Sequence, residues 1–233
     1  MTKKIVILLI LISLMGVLYQ CSLGKSDIMN KKESSIMGKN LIEAVSKGNI
    51  QKVRELLKEN ININTQDSNQ RTLLMIATYN NNYEMVKLLI DNGADVNIQD
   101  DMKNNPFLYS GAEGQLEILK IITKAGASTK ITNRYGGVAL IPASEHGYVE
   151  TVEYLLENTD IDVNHINNLG WTALLEAIIL GNGSENHKKV VELLLKYGAN
   201  PNIADKDGVT PLGHARKKAY KDIEKILINS GGK

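Results

Sequence analysis

Residues 67–99 read DSNQRTLLMIATYNNNYEMVKLLIDNGADVNIQ, and this stretch decides the fold. It contains two short apolar segments, the second of which places valine and leucine on one stripe of a helix. Thr72 precedes the first segment, where its hydroxyl can cap a helix N-terminus. Asn81 and Gly93 follow the two segments, at positions that favour a left-handed residue ending a helix. The stretch therefore predicts two short helices preceded by a tight loop.

The same pattern recurs along the chain. Successive copies are separated by 33, 33, 34 and 38 residues. Their starts align at Asp67, Asp100, Asn133, Asn167 and Asp205. An earlier copy is indicated because Ala44 lies 33 residues before Ala77. A fixed period of this length is typical of stacked repeats, in which no single copy can bury its apolar stripe alone.

The pattern resembles the ankyrin repeat, whose period is 33 residues. The resemblance rests on Gly208-Val209-Thr210-Pro211-Leu212 at a start and Gly93-Ala94-Asp95-Val96-Asn97 at an end. It implies an all-α solenoid of about six helix-turn-helix repeats with β-hairpin-like loops. The repeat domain is predicted over 38–233, with repeats at about 34–66, 67–99, 100–132, 133–166, 167–204 and 205–233.

Individual residue types predict where the helices begin and end. The predicted N-terminal caps are Thr72, Thr172 and Thr210, and Pro106 and Pro211 suit the first helical position. Glycine is expected to end helices because it adopts the left-handed conformation without strain. These glycines are Gly48, Gly93, Gly114, Gly126, Gly147, Gly181 and Gly198, with Asn60 and Asn81 as substitutes.

Three departures from the pattern predict weaker helices or altered loops. Val138-Ala139 replace the Thr-Pro start of the fourth repeat, and Pro142 follows inside the helix, where proline removes a hydrogen bond. We therefore expect that helix to be strained or irregular. Ser110-Gly111 lower helix propensity in the third repeat. About five residues, Asn182–Asn186, are inserted between the helices of the fifth repeat.

Composition excludes several classes of protein. The 27 basic and 26 acidic residues balance, so no basic excess points to nucleic acid. The 43% apolar content supports a folded chain. Cys21 is the single cysteine, which excludes an intrachain disulfide and a cysteine-based zinc cluster.

The N-terminus predicts export. Lys3 and Lys4 precede an apolar run over 5–18, which is shorter than the roughly 20 residues of a membrane-spanning helix. Residues 1–20 are therefore interpreted as a signal peptide, with an uncleaved membrane anchor as the alternative. The polar residues 21–37 are predicted to form a tether.

Leu18-Tyr19-Gln20-Cys21 resembles the lipobox of bacterial lipoproteins, although Gln20 and Tyr19 are bulkier than that motif prefers. The resemblance implies acylation of Cys21 and a lipid anchor at the cell envelope or in the periplasm. The competing route is cleavage after Gly24, which would remove Cys21 and yield a secreted protein.

No motif for catalysis, a cofactor or a metal site is found. The histidines form no pair with metal-ligand spacing and lie in different repeats: His146, His165, His187 and His214. An enzyme would need an active site assembled from scattered residues, and no spacing supports one. We therefore expect no enzyme activity and no cofactor.

Large apolar residues concentrate at positions that the ankyrin resemblance turns outward on the concave side. This apolar cluster comprises Tyr135, Ile166, Leu169, Trp171, Ile179 and Leu180. Clustered exposed apolar side chains are typical of a contact site for a partner. The alternative is structural: Trp171 packs on the adjacent hairpin, and the insert covers Ile179 and Leu180.

The combined reading is an exported, membrane-tethered, monomeric scaffold that binds an unidentified protein on its concave face. A host-directed secreted effector or inhibitor, a structural envelope protein and an enzyme are the alternatives. The resemblance implies the architecture and the mode of binding, not the partner.

Overall fold

The computed structural model describes residues 35–59 and 61–233. Within them the chain forms twelve helices and no sheet, which confirms the predicted all-helical repeat fold. The helices are α1 (35–46), α2 (Ile50–Leu56), α3 (Leu73–Tyr79), α4 (Tyr83–Asp91), α5 (Pro106–Ala112), α6 (Leu116–Lys124), α7 (Leu140–Glu145), α8 (Val149–Asn158), α9 (Ala173–Ile179), α10 (Glu185–Lys196), α11 (Pro211–Lys217) and α12 (Lys221–Asn229). The predicted signal peptide, Cys21 and Asn60 lie outside the described residues, and the predicted tether overlaps α1 at 35–37.

Side-chain caps start the first helix of most repeats, as predicted. Thr72, Thr172 and Thr210 accept hydrogen bonds from backbone N–H groups three residues ahead. Pro211 occupies the first position of α11 and Pro106 that of α5. Asn105 takes the place of threonine before α5 and accepts from the Leu108 N–H at 2.8 Å.

Left-handed residues end the helices at most predicted positions, since φ is positive at Asn81 and at six of the seven glycines: Gly48, Gly93, Gly114, Gly126, Gly147 and Gly198. Gly181 was expected to share this role, and that expectation is wrong, because its φ is not in the left-handed region. A Cβ there would instead collide with the Ala177 carbonyl oxygen and the His187 ring. Close approach, not handedness, requires glycine at this site.

The first helix of the fourth repeat departs from the expected distortion. Pro142 lies at the third position of α7, in the first turn, where a backbone N–H has no partner within the helix. The proline therefore costs no helical hydrogen bond. What changes is the start: α7 has only six residues, its N-cap Ala139 provides no side-chain bond, and the Ala143 N–H lies 3.4 Å from the Ala139 oxygen.

The other two departures have local explanations. A Cβ on Gly111 would lie 2.9 Å from the Ala139 Cβ, so glycine allows α5 and α7 to approach closely. The lower helix propensity of Gly111 is thus offset by packing. The insert at Asn182–Asn186 is shared between a short loop and an extended α10, which reaches twelve residues.

One continuous apolar core runs from Leu41 to Leu227 through every described repeat. Most of its members are leucine, isoleucine, valine and alanine, and Phe107, the single phenylalanine, is fully buried. Full burial of each leucine, isoleucine, valine or phenylalanine side chain stabilises the folded state by about 1.5–3 kcal/mol.

Among the described helices none is both long and apolar enough to traverse a bilayer.

Asparagine side chains connect the repeat ends in a ladder. Asn97 accepts from the Ser128 N–H and donates to the Gly126 oxygen of the next repeat. Asn64, Asn164 and Asn202 accept equivalent bonds from their next repeats. Lys130 occupies the corresponding place between the third and fourth repeats, and there the Thr129 hydroxyl donates instead to Asp160 at 2.6 Å.

Planar side chains form a second connection between repeats. The Tyr148 ring lies against Gly114 and the His187 ring against Gly147, close enough that an added Cβ would be about 3 Å away. Tyr220 covers Gly183 in the same way and donates its hydroxyl to the Gly181 oxygen at 2.9 Å. Each glycine thus provides the flat surface on which the following repeat rests.

We expect Asn105→Thr to stabilise the fold. Asn105 is fully buried and its Nδ2 has no hydrogen-bond partner, which costs about 1–3 kcal/mol for a buried donor. Threonine keeps the cap and removes the amide, so the free energy of unfolding in urea should rise by roughly 1 kcal/mol. The reverse change, Thr172→Asn, is the matched control and should destabilise; an unchanged Asn105→Thr variant would contradict the explanation.

Candidate partner-binding surface

Each of the second to sixth repeats begins with a tight loop organised by one side-chain oxygen. Oδ1 of Asn167 accepts from the N–H groups of Leu169 and Trp171, both at 3.0 Å. The same pair of bonds, to the second and fourth following residues, recurs at Asp67, Asp100, Asn133 and Asp205. The fourth residue of each loop is left-handed: Gln70, Lys103, Gly136, Gly170 and Gly208. The recurring Asp or Asn that marks each repeat is therefore the residue that builds its loop.

The loops are less like β-hairpins than the sequence predicts. One isolated bridge, Gln66 with Thr72, is the only ladder pairing in the described residues. Neighbouring loops are nevertheless joined. The Asn168 N–H donates to the Tyr135 oxygen at 2.9 Å, and the His165 Nε2 lies 2.7 Å from the Gly136 oxygen. These bonds hold the fourth and fifth loops side by side.

The structure leaves most of the predicted apolar cluster accessible. Tyr135, Ile166, Leu169 and Leu180 are exposed by 54%, 51%, 49% and 48%. Trp171 and Ile179 are half-buried. The insert therefore does not bury Leu180, and Trp171 is only partly available to a partner.

The surface continues onto the third loop through residues that the sequence analysis did not include. Met102 is 43% exposed, and its sulfur lies 3.4 Å from a guanidinium nitrogen of Arg134. The same guanidinium lies 4.8 Å from the centre of the Tyr135 ring. This cation–π contact orients the Tyr135 ring. In the sequence, an arginine directly before a tyrosine at a loop tip could have indicated this extension of the surface.

A buried carboxyl lies beside the cluster. Glu176 in α9 is only 4% exposed, and its Oε1 accepts from the Asn167 Nδ2 at 2.8 Å. Burial and the nearby Glu145 carboxylate raise the pKa of Glu176 to about 7. At the equivalent positions other repeats carry Ile76, Tyr109, Pro142 and His214, so the repeat pattern gives no warning of this acid.

The histidines serve the architecture. His187 is buried. Its Nε2 lies 2.8 Å from the backbone carbonyl oxygen of Glu145, and its Nδ1 lies 3.0 Å from the Ser184 hydroxyl. His214 pairs with the loop residue Asp205 at 2.7 Å. Within residues 35–59 and 61–233, no group of three histidine, cysteine or acidic side chains could hold a metal ion.

A family model described as "Ankyrin repeats (3 copies)" matches residues 18–100, 41–133 and 107–205. The chain belongs to the ankyrin-repeat family. Proteins of this family are generally binding scaffolds without catalytic activity, and they typically bind other proteins. A stacked array of this kind presents an extended surface on which a protein can bind.

Individual relatives share this architecture. A solved ankyrin-repeat domain from Acinetobacter baumannii AYE is 52% identical, covers 83% of this chain and 98% of that one, and superposes with a TM-score of 0.81. The ankyrin repeat protein YahD of Escherichia coli (strain K12) is 47% identical over 42% of this chain and 49% of its own length. Cyclin-dependent kinase 4 inhibitor B of Bos taurus is 33% identical over 42% of this chain and 70% of its length. The matched region thus spans about half the length of the Escherichia coli relative.

We expect the stability of the ankyrin repeats to depend on pH through Glu176. A pKa raised in the folded state means that protonation stabilises the fold; this contribution is complete below about pH 4.5 and is lost as pH rises through about 7. Glu176→Gln mimics the protonated acid and keeps the bond from Asn167. Its advantage in free energy of unfolding should therefore grow to roughly 3 kcal/mol by pH 8.

The measurement is urea unfolding at pH 5, 6, 7 and 8, with the difference between variant and wild type plotted against pH. Glu192→Gln, an exposed acid on α10, is the control and should give a flat difference. A flat difference for Glu176→Gln as well would show that Glu176 is ionised in the folded protein throughout this range.

Proposed function

We propose that this protein is a scaffold that holds a protein partner on the concave face of its fourth and fifth repeats. The apolar cluster carries the proposal. Other exposed apolar side chains such as Ile36 and Ile228 lie at the two ends of the array, whereas Tyr135, Ile166 and Leu169 are about half exposed on adjoining loops. Exposed apolar groups of this size on a soluble surface mark interaction sites, and tyrosine is among the usual anchors.

Rigidity supports the same assignment. The bond between Asn168 and Tyr135 and the two bonds inside each loop fix the backbone that carries the cluster. A surface that is ordered before binding loses little conformational entropy when a partner docks. The relative named as an inhibitor of cyclin-dependent kinase 4 is consistent with a repeat array that acts by holding another protein. An effector or inhibitor role would use the same surface.

We expect Leu169→Ala to weaken the complex. Partners would be captured by crosslinking the tagged protein in its native cell and identified by mass spectrometry. An anchor side chain is worth about 2 kcal/mol or more, so affinity for a purified partner should fall roughly thirtyfold. Ile228→Ala is the matched control, because Ile228 is 48% exposed but lies on α12, away from the cluster.

Loss of binding should be confined to variants within the apolar cluster. Tyr135→Ala should reduce affinity in the same way, whereas Ile228→Ala should leave it unchanged. Equal affinity for the wild type, Leu169→Ala and Tyr135→Ala would remove the cluster as the binding surface.

We further propose that the protein is exported and tethered through Cys21. The support is the basic start, the apolar run over 5–18 and the lipobox-like Leu18-Tyr19-Gln20-Cys21. An acylated cysteine carrying more than one chain anchors a protein stably, whereas one chain does not. The array would then face the envelope space with its cluster available to partners there.

Labelling with a fatty acid tests the anchor. The wild type should incorporate the label and partition with membranes, and Cys21→Ala should do neither. Gln20→Ala is a control that retains the cysteine and should retain the label. Incorporation unaffected by Cys21→Ala, or a mature chain beginning after Gly24, would replace the anchor with secretion.

A further inference from the structure

We infer that the partner segment is acidic, and that its aspartate or glutamate side chains pair with three cations that border the apolar cluster. These border cations are Arg134, Lys206 and Lys218, and all three side chains are exposed. The inference rests on the proposed function and adds the charge of the segment that binds. It follows from the groups that hold each cation, from the lack of carboxylates around them and from the apolar side chains that they flank.

Arg134 lies against apolar residues of two loops. Its guanidinium carbon is 4.8 Å from the centre of the Tyr135 ring, and one guanidinium nitrogen is 3.4 Å from the Met102 sulfur. Neither contact neutralises the cation, because a ring face and a thioether are both uncharged. Arg134 is therefore oriented at the border of the cluster while its charge stays open to a carboxylate.

Lys206 reaches back from the sixth loop across the fifth. Its stem lies against Gly170, where an added Cβ would be 2.8 Å from the Lys206 Cγ, and its Nζ donates to the Asn168 oxygen at 2.5 Å. Leu169 separates Asn168 from Gly170 in the chain. The lysine therefore packs its apolar stem on the loop and places its charge beside Leu169.

Lys218 occupies the site in the sixth repeat that Leu180 occupies in the fifth, since each is the C-cap residue of the first helix of its repeat. The Lys218 Nζ lies 5.6 Å from the centre of the Tyr220 ring. The Tyr220 hydroxyl donates to the oxygen of Gly181, the residue that follows Leu180. Lys218 is therefore held beside the last apolar residue of the cluster.

The border cations have no carboxylate of their own. Among the residues that the structure describes, none places a carboxylate oxygen within 4.0 Å of any of the three. By contrast, Arg71 of the second loop is paired with Asp67. Asp101 and Asp207 lie at the tips of the third and sixth loops, and neither reaches a border cation. Cations that are ordered by neutral groups keep their attraction for the carboxylates of a partner.

Carboxylates at the ends of earlier helices restrict where the acidic residues of the partner can lie. Glu113 is the C-cap residue of α5, and Glu145 is the last residue of α7. Like charges would repel an acidic side chain there. We therefore expect the partner's acidic residues along the loop tips and the sixth repeat, with its apolar residues on Tyr135 and Leu169 between them.

An acidic peptide fits this surface better than a polyanion does. The chain carries 27 basic and 26 acidic residues, so it lacks the net positive field that attracts proteins to nucleic acid or to anionic lipid. The large apolar side chains between the cations are covered well only by apolar side chains of a partner. A segment that carries both carboxylates and apolar groups meets both requirements.

The experiment selects random linear peptides displayed on phage against the full 233-residue chain. Counter-selection on the Tyr135→Ala, Leu169→Ala double variant removes peptides that bind elsewhere. The surviving peptides should contain leucine or aromatic residues, and they should be enriched in aspartate and glutamate relative to the unselected library.

Two triple variants then test the cations with a synthesised peptide from this selection. The border variant changes each border cation to glutamine: Arg134→Gln, Lys206→Gln, Lys218→Gln. The control variant removes the same charge from three exposed lysines that form no ion pair with a described residue: Lys58→Gln, Lys124→Gln, Lys225→Gln.

Affinity for the peptide should fall roughly tenfold in the border variant, because each exposed ion pair contributes a few-fold at most. The control variant should bind as the wild type does. Replacing the acidic residues of the peptide by their amides should abolish the difference between wild type and border variant. Added sodium chloride should weaken binding to the wild type more than binding to the border variant. Circular dichroism should show that all variants remain helical.

Each other outcome has a definite meaning. Surviving peptides without acidic enrichment, or equal affinity for the two triple variants, overturn this inference and leave the proposed binding surface standing. No surviving peptide overturns the inference too, whereas the surface is judged separately by the affinities of Leu169→Ala and Tyr135→Ala for the captured partner. A single-stranded DNA oligonucleotide and phosphatidylglycerol vesicles are tested alongside. Binding of either that is lost in the border variant but kept in the Tyr135→Ala, Leu169→Ala variant would assign the cations to a polyanion instead.

Discussion

A pair of helices as short as α3 and α4 cannot cover its own apolar side chains, and this constraint governs the whole molecule. Six of the seven residues of α3 and four of the nine residues of α4 are buried, and the neighbouring helix pairs are needed to cover them. The resulting core has no centre; it extends from Leu41 to Leu227 as a continuous layer. The capping threonines start the helices within each repeat, and the glycine contacts hold one repeat against the next.

The sequence was sufficient for the features that depend on local geometry. Period, threonine caps and left-handed glycines are visible in residue identity because each meets a requirement of one short stretch of backbone. Contacts between repeats were harder to predict from the sequence. Gly181 illustrates the difference: its residue type was noticed, but the reason for it is the ring of His187, six residues later, and a carbonyl oxygen in the preceding helix. Pro142 was misjudged because the helix start moved by one residue.

The candidate surface, too, was predictable from the sequence only in part. The sequence shows that apolar residues gather in the fourth and fifth repeats, but it does not show their exposure. In the structure Leu169 is exposed and Trp171 is half-buried. Glu176 was overlooked because it sits within an apolar segment, LLEAII, at a position where neighbouring repeats place unrelated residues. Its environment depends on Asn167 and Glu145, which lie nine and thirty-one residues away. A long-range charge pair of this kind leaves no periodic trace.

The asparagine ladder has an interruption at Lys130, with mechanical consequences. Asn97 and Asn164 each make two bonds across their junctions, whereas the junction between them is bridged by the single Thr129 hydroxyl and, at the loops, by the Arg134 contact to a methionine sulfur. This junction has fewer hydrogen bonds than the junctions on either side of it. We expect bending between repeats to concentrate at this junction because fewer hydrogen bonds resist it, whereas the bonds between the fourth and fifth loops hold those two repeats together. A partner bound to the fourth and fifth repeats would therefore be little affected by such bending.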